Sequence, residues 1–142
     1  MAIKHAALKG KVVAAVRLRG RVNVRGTIEE TLQRLNLKRV NNCTIIKVND
    51  PYLGMLKKCT NMIAYGEIDE DTMGKLVTKY KLNVDPKAIV SGKTDPKELN
   101  ERMPLRLQPP KHGLRSVRAH FNDGGDMGYR GEAINKLIQR MV

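Results

Sequence analysis

Three short apolar runs, each followed by a helix signal, constrain this chain more than any other feature. Residues Val12 to Arg19 alternate, with Val12, Ala14, Val16 and Leu18 on one face and Val13, Ala15, Arg17 and Arg19 on the other. That is the period of a strand, here with a basic end. After an arginine-rich loop from Gly20 to Gly26, Thr27 and Glu30 form a capping box, and Ile28, Leu32 and Leu35 follow at helical spacing. A helix is therefore predicted over about 27–37. Cys43 to Val48 reads as a second strand rich in β-branched residues. Asp50-Pro51 then opens a helix, since Asp accepts orphan amides and Pro tolerates the first helical position. Tyr52, Met55 or Leu56, Cys59 and Met62 or Ile63 give it one apolar face. Ile63 to Ile68 offers a third strand, and Asp69 opens another helix with apolar positions Met73, Leu76, Val77 and Tyr80.

The order βαβαβ with short connections implies an α+β fold: one sheet covered by helices on one face. The other face is left in need of a cover. From 81 to 110 the pattern weakens under Asp85-Pro86, Asp95-Pro96, Met103-Pro104 and Pro109-Pro110, which reads as a connection with one short helix after Asp95. Arg115 to Phe121 alternates again, with Arg118 and His120 opposite Val117 and Phe121. Beyond Gly124-Gly125, Ile134, Leu137, Ile138 and Met141 mark a terminal amphipathic helix. The expected organisation is a βαβαβ core over 1–70, a helix and connecting region over 71–104, and a basic α/β extension over 105–142 outside the folding nucleus.

The 142 residues suffice for one domain of ordinary size, ~100 residues or more, plus an extension. With no Trp and a single Phe, its core has to be aliphatic. The net charge of +13 makes a polyanion the leading partner. Arginine is absent between Val40 and Asn100, while both ends of the chain are rich in it. Guanidinium forks two hydrogen bonds onto phosphate and is weakly hydrated, so this sorting points to RNA contact more than lysine content does. Solvated charge accounts for a single basic cluster but poorly for arginine-rich ends around an arginine-free centre. A membrane partner would call for large apolar anchors, a lipidation signal or a long apolar run, and the sequence carries none of these. A cytoplasmic location is expected, with Cys43 and Cys59 reduced and buried.

Chemistry is sparse. His5, His112 and His120 are scattered with no Cys or carboxylate at metal-ligand spacing, and the nucleotide-binding and nucleophile-elbow motifs are missing. Gly124, Gly125, Gly128 and Gly131 suit a turn better than a phosphate cradle. The segment Gly20 to Gly26 resembles the first motif of acylphosphatases. Asn23 stands where that motif has glutamine, Val24 where it has glycine, and the later asparagine motif is missing. The expectation is no enzyme, no cofactor and no metal.

Several spaced blocks do match one family in order. Val16-Arg17-Leu18-Arg19-Gly20, Asn23-Val24, Thr31-Leu32, Leu35-Asn36-Leu37 and Arg39-Val40-Asn41 with Cys43 resemble the universal large-subunit ribosomal protein L-thirty family. Tyr52-Leu53-Gly54-Met55-Leu56 and Ala64-Tyr65-Gly66-Glu67 continue the resemblance. Leu105 to Pro110 and Gly124 to Gly131 are similar to the extension of archaeal and eukaryotic members. The resemblance is weakest over about 75–102, and Cys59 departs from the aliphatic residue usual in the family. It implies a three-stranded, largely antiparallel sheet, ferredoxin-like, and a structural place on the large ribosomal subunit. The implied partners are large-subunit rRNA and neighbouring ribosomal proteins.

Carried over by position, Arg19, Arg21, Arg25, Lys38, Arg39, Asn41, Asn42, Arg106, Lys111 and Arg130 become candidates for RNA contact. Arg17, Arg115 and Arg118 join them as arginines of the same regions. Cations would neutralise phosphates, while Asn41 and Asn42 would bond sugar hydroxyls or base edges, or serve only the turn they occupy. A free-standing RNA-binding module is the alternative reading.

Overall fold

A computed structural model describes residues 9–20, 22, 24–82, 85–91 and 105–142. In chain order its elements are β1 (Val12–Arg17), α1 (Gly26–Arg34), β2 (Asn42–Lys47), α2 (Asp50–Lys58), β3 (Ile63–Glu67), α3 (Glu70–Tyr80), α4 (Pro86–Val90), β4 (Leu105–Arg106), β5 (Gly128–Tyr129) and α5 (Ala133–Met141). The expected βαβαβ order is present, and the fold is α+β. The sheet, however, has five strands in the order β4-β2-β1-β3-β5. β1 pairs antiparallel with β2 and with β3, β4 antiparallel with β2, and β5 parallel with β3, so the sheet is mixed. Each edge strand is two residues long, too short to leave a periodic signal.

Helices cover both faces, which corrects the expectation of one. The alternation of β1 sorts the core as read. Val13 and Ala15 join Ile46, Ile63 and Tyr65 under α1 and α2, where Leu32 and Leu56 are fully buried. Val12, Ala14 and Val16 join Cys43, Ile45 and Ala64 on the opposite face. There Met73 and Leu76 of α3, Ile89 of α4, and Ile134, Leu137, Ile138 and Met141 of α5 close the core. The segment read as an extension thus supplies both edge strands and much of one layer. α5 can lie this close because Gly66 has no side chain: a Cβ there would sit 2.1 Å from the carbonyl oxygen of Gly131.

Helix starts follow cap chemistry, with two corrections. Asp69 caps α3 as expected, accepting from the Thr72 amide at 2.8 Å. For α2 the cap is Asn49, accepting from the Tyr52 amide at 3.0 Å, with Asp50 in the first turn beside Pro51. The Thr27 capping box does not form: α1 begins one residue earlier behind Arg25, with no side-chain cap. Asp85-Pro86, read as punctuation, opens the short α4, where Asp85 accepts from the Lys87 amide at 3.0 Å. The helix expected after Asp95 lies outside the described residues.

The alternating Arg115 to Phe121 is not a strand. The Asp126 carboxylate takes the amides of Arg115 and Ser116, so these donors are not free for a ladder. A single bridge from His120 to Met127 and a 3-10 turn at Phe121–Asp123 are what remain. Cys43 and Cys59 are free and buried, on opposite faces of the sheet.

Candidate nucleic-acid interface

Sheet register decides where the charges go. β1 ends at Arg17, opposite the start of β3 at Ile63, and Val16 faces Cys43 near the start of β2. Arg106 lies beside Asn42, and Gly128 beside Ala64. One end of the sheet therefore collects the end of β1, the starts of β2, β3 and β5, and the exit of β4. Both arginine-rich stretches of the chain converge there.

At that end Arg19, Lys38, Arg39 and Arg106 are exposed. Lys111 and Arg118 are exposed in the segment that follows β4. The Arg19 guanidinium donates to the Asn61 carbonyl at 3.4 Å, and the His120 ring hydrogen-bonds the Asn61 side chain at 2.7 Å, which ties the segment before β5 to the same corner. Asn41 is only partly buried and has φ +68, a left-handed turn conformation that Asn tolerates well. Exposed Val40 lies between Arg39 and Asn41. Arg25 is exposed at the mouth of α1, and Val22 at the tip of the preceding loop is 86% accessible. Arg21 lies outside the described residues.

Three candidates lie off the exposed face at the sheet end. The side chain of Arg17 is fully buried. Its Nε donates to the Arg19 carbonyl at 2.8 Å, and Nη1 to the carbonyls of Leu37 at 2.8 Å and Lys38 at 3.3 Å. Nη1 and Nη2 also meet the two Glu29 carboxylate oxygens at 3.3 and 3.0 Å. Arg17 is thus a clamp between the loop after β1, α1 and the turn before β2. Asn42 is buried in the ladder beside β4. Arg130 retains 6% side-chain exposure and pairs with buried Asp126 at 3.1 Å. Burial depresses its pKa, and the Asp126 carboxylate opposes that shift. Arg115, by contrast, is more than half exposed, with its guanidinium tied to the Gly125 carbonyl at 2.9 Å.

The opposite end of the sheet is acidic. Asp50 lies in the first turn of α2, Asp69 caps α3, and Glu70 and Asp71 follow in its first turn. Glu67 ends β3 at the same level, paired with Lys11 at 3.2 Å. Among the described residues no group of His, Cys, Asp and Glu could hold a metal ion, and no helix is long and apolar enough to cross a membrane. Burial pushes the Cys43 thiol up to about 12 and the Cys59 thiol to about 11, the reverse of what a nucleophilic cysteine needs.

Fold and charge together define a small basic scaffold protein, one that presents cations on a rigid sheet end. Similarity narrows the class. The family Ribosomal protein L30p/L7e matches over residues 13–63. The large ribosomal subunit protein uL30 of Nanoarchaeum equitans is 38% identical, over 91% of this chain and 97% of that protein. Its counterparts in Methanococcus vannielii and Thermoplasma acidophilum are 36% and 32% identical, covering 98% and 93% of those proteins. The chain belongs to the uL30 family of large ribosomal subunit proteins, in the longer form found in archaea, and is not an enzyme.

Proposed function

We propose that the chain is a structural constituent of the large ribosomal subunit that binds its rRNA through the basic end of the sheet. The observation that carries this is the convergence of exposed Arg19, Lys38, Arg39 and Arg106 at one end, set by strand register. Arg25, Lys111 and Arg118 flank that face. Arg21 stays a candidate from its place in the same loop. Backbone phosphates are the natural ligands for these cations, and they fix orientation without reading sequence. Asn41 is the residue placed to reach a sugar hydroxyl or base edge from the turn. Arg17 and Asn42 serve the same face from inside, by holding its loops. The three antiparallel strands β2-β1-β3 with α1 and α2 form the rigid platform, and β4 and β5 finish its edges.

The test is cosedimentation. A structural component should track the large subunit stoichiometrically through a high-salt wash, and Arg39→Glu should lower its occupancy. Release of the intact chain by salt, with binding to any RNA alike, would identify a free-standing RNA-binding module.

A further inference from the structure

A second cationic site lies beside the sheet end, against α5. It is an open cleft of about 380 Å3 lined by His112, Arg115, Phe121, Arg130, Lys136 and Arg140, with Asp126 in its wall. Four cations there stand against one carboxylate.

The cations are not loose surface charges. Arg115 and Arg130 both lie over the ring of Phe121, the one Phe in the chain, with guanidinium carbons 5.2 and 4.8 Å from its centroid. Stacking on an aromatic ring fixes a guanidinium plane. Asp126 holds Arg130 at 3.1 Å, and the Gly125 carbonyl holds Arg115 at 2.9 Å. The Arg140 guanidinium donates to the carbonyls of Lys111 at 3.2 Å and Gly113 at 3.0 Å. Each of these arginines uses part of its donor set on the protein, which orients it, and a guanidinium carries five donors in all.

Arg130 gives the second observation. Its Nε is buried and has no hydrogen-bond partner, the only such side-chain atom among the described residues. A buried donor without an acceptor is costly, and a charged one more so. Asp126 does not accept from this Nε: its Oδ2 takes the amides of Arg115 and Ser116, and its Oδ1 takes the Arg130 Nη1. Four cations, with a buried guanidinium donor among them that has no partner, suit a compact acceptor with negative charge.

We infer that this cleft is a phosphate-binding site, and that its occupant in the assembled particle is a backbone phosphodiester of the rRNA. The inference rests on the RNA reading above and adds to it a second anchor on the α5 layer. The segment that leaves β4 links the cleft to the basic end of the sheet: the Leu107 amide donates to the Asn41 carbonyl at 3.0 Å, and the Lys111 amide to the carbonyl of Arg140 in the cleft at 3.1 Å. A strand of backbone crossing the sheet end can therefore continue into it. Planar, prepositioned guanidinium groups suit a tetrahedral anion with several acceptor oxygens.

Two measurements on the full chain test this. In the first, arginine Nε–H resonances are followed by NMR while inorganic phosphate replaces chloride at constant ionic strength. A saturable shift of the Arg130 Nε–H, weakened several-fold in Lys136→Glu, is expected; a linear drift, or an equal response in the variant, overturns the site. Lys136 is exposed and carries none of the bonds above, so the variant should fold. In the second, binding to naked large-subunit rRNA is measured against salt for the parent, Lys136→Glu and Arg39→Glu. Loss of one phosphate contact lowers the slope of log affinity against log salt by ~0.7–0.9. Such a drop in Lys136→Glu supports the phosphodiester. A drop in Arg39→Glu alone overturns the cleft and leaves the RNA reading intact, even when free phosphate saturates the site. If the parent does not prefer this rRNA over an unrelated polyanion, it is the RNA reading that fails.

Discussion

Replacing Arg17 by methionine should be among the most damaging single changes in the chain, although Arg17 reaches no solvent. Methionine keeps most of the buried volume, so the cost is electrostatic and not a cavity. The guanidinium makes five contacts inside 3.3 Å: two to Glu29 and one each to the carbonyls of Arg19, Leu37 and Lys38. Removing one partner of a buried ion pair costs ~3–5 kcal/mol, chiefly through the groups left behind. Glu29 keeps 19% side-chain exposure, so water can reach its carboxylate in part, which places the loss near the lower end, ~3 kcal/mol. In a domain of this size that is a fall in melting temperature of ~10 °C, at ~3–4 °C per kcal/mol.

Urea titration with the slope checked for constancy reads the effect directly. Adding Glu29→Met should return part of the loss, because the second change removes the carboxylate that the first deprived of the guanidinium. RNA binding should fall too, since the carbonyls of Arg19, Leu37 and Lys38 belong to the two loops that carry the exposed cations. A cost below ~1 kcal/mol, typical of a surface pair, would refute the clamp. Weakened RNA binding with unchanged stability would mean that Arg17 touches RNA itself.

Gly66→Ala should destabilise by at least ~1–3 kcal/mol and shift α5, because its Cβ would meet the Gly131 carbonyl at 2.1 Å; near-neutral stability would contradict the close approach. The thiols make stability fall in alkali. Burial raises both above their ordinary value of 9.0, to about 12 for Cys43 and about 11 for Cys59, so they stay protonated in the fold where unfolded-chain thiols ionise. Their contribution is full below pH 9.0 and is lost as pH rises towards those values, and Cys43→Val should decline less steeply in urea titrations across that window. Arg39→Glu should weaken rRNA binding by more than ~1 kcal/mol, whereas Lys47→Glu, at the far end of β2, should change it little; equal effects would put the interface elsewhere. A chain ending before Leu105 should lose its cooperative transition, since it lacks buried Leu105, Leu107, Met127, Ile134, Leu137, Ile138 and Met141, each worth ~1.5–3 kcal/mol on burial; a sharp two-state melt would show that 105–142 is dispensable.

The β1 to β3 strands were legible because period-two alternation survives in the sequence even when both faces are buried. The apolar stripe of α5 was equally plain. What the stripe does not say is which surface it covers, so the second layer on the sheet was missed together with the two-residue strands beside it. Arg115 to Phe121 misled for a different reason: its alternation is real, but Asp126, ten residues on, captures the amides a strand would need. At the candidate interface the arginine sorting pointed to the stretches that the sheet brings together at one end, without separating exposed cations from a buried clamp. Arg17 lies in phase with Val13 and Ala15, so the pattern that placed those two inside also placed its Cα inside. The destination of its guanidinium depended on Glu29 and on the carbonyls of a turn twenty residues away. Arg130 and Asp126, spaced by four, form a readable pair, but burial decides what such a pair means.

The charge layout follows from how the elements begin and end. α2 and α3 both start at the end of the sheet where β2 and β3 finish, and their starts take Asn49, Asp50, Asp69, Glu70 and Asp71 to satisfy free amides and the positive end of each helix dipole. Their last turns, with Lys57, Lys58 and Lys79, come back to the opposite end, where the dipole favours cations. Ordinary capping therefore already makes one end of the sheet acidic and the other basic. The arginines of the β1 loop, the turn before β2 and the exit of β4 reinforce that polarity at the basic end. At the acidic end Lys9 and Lys11 pair with Asp50 and Glu67, so an approaching polyanion is drawn more strongly to the basic end and the fold is oriented before any specific contact forms. The same logic fits the absence of arginine from the middle of the chain: it builds the elements whose ends set the field, while the two arginine-rich stretches supply the exposed cations of the candidate interface.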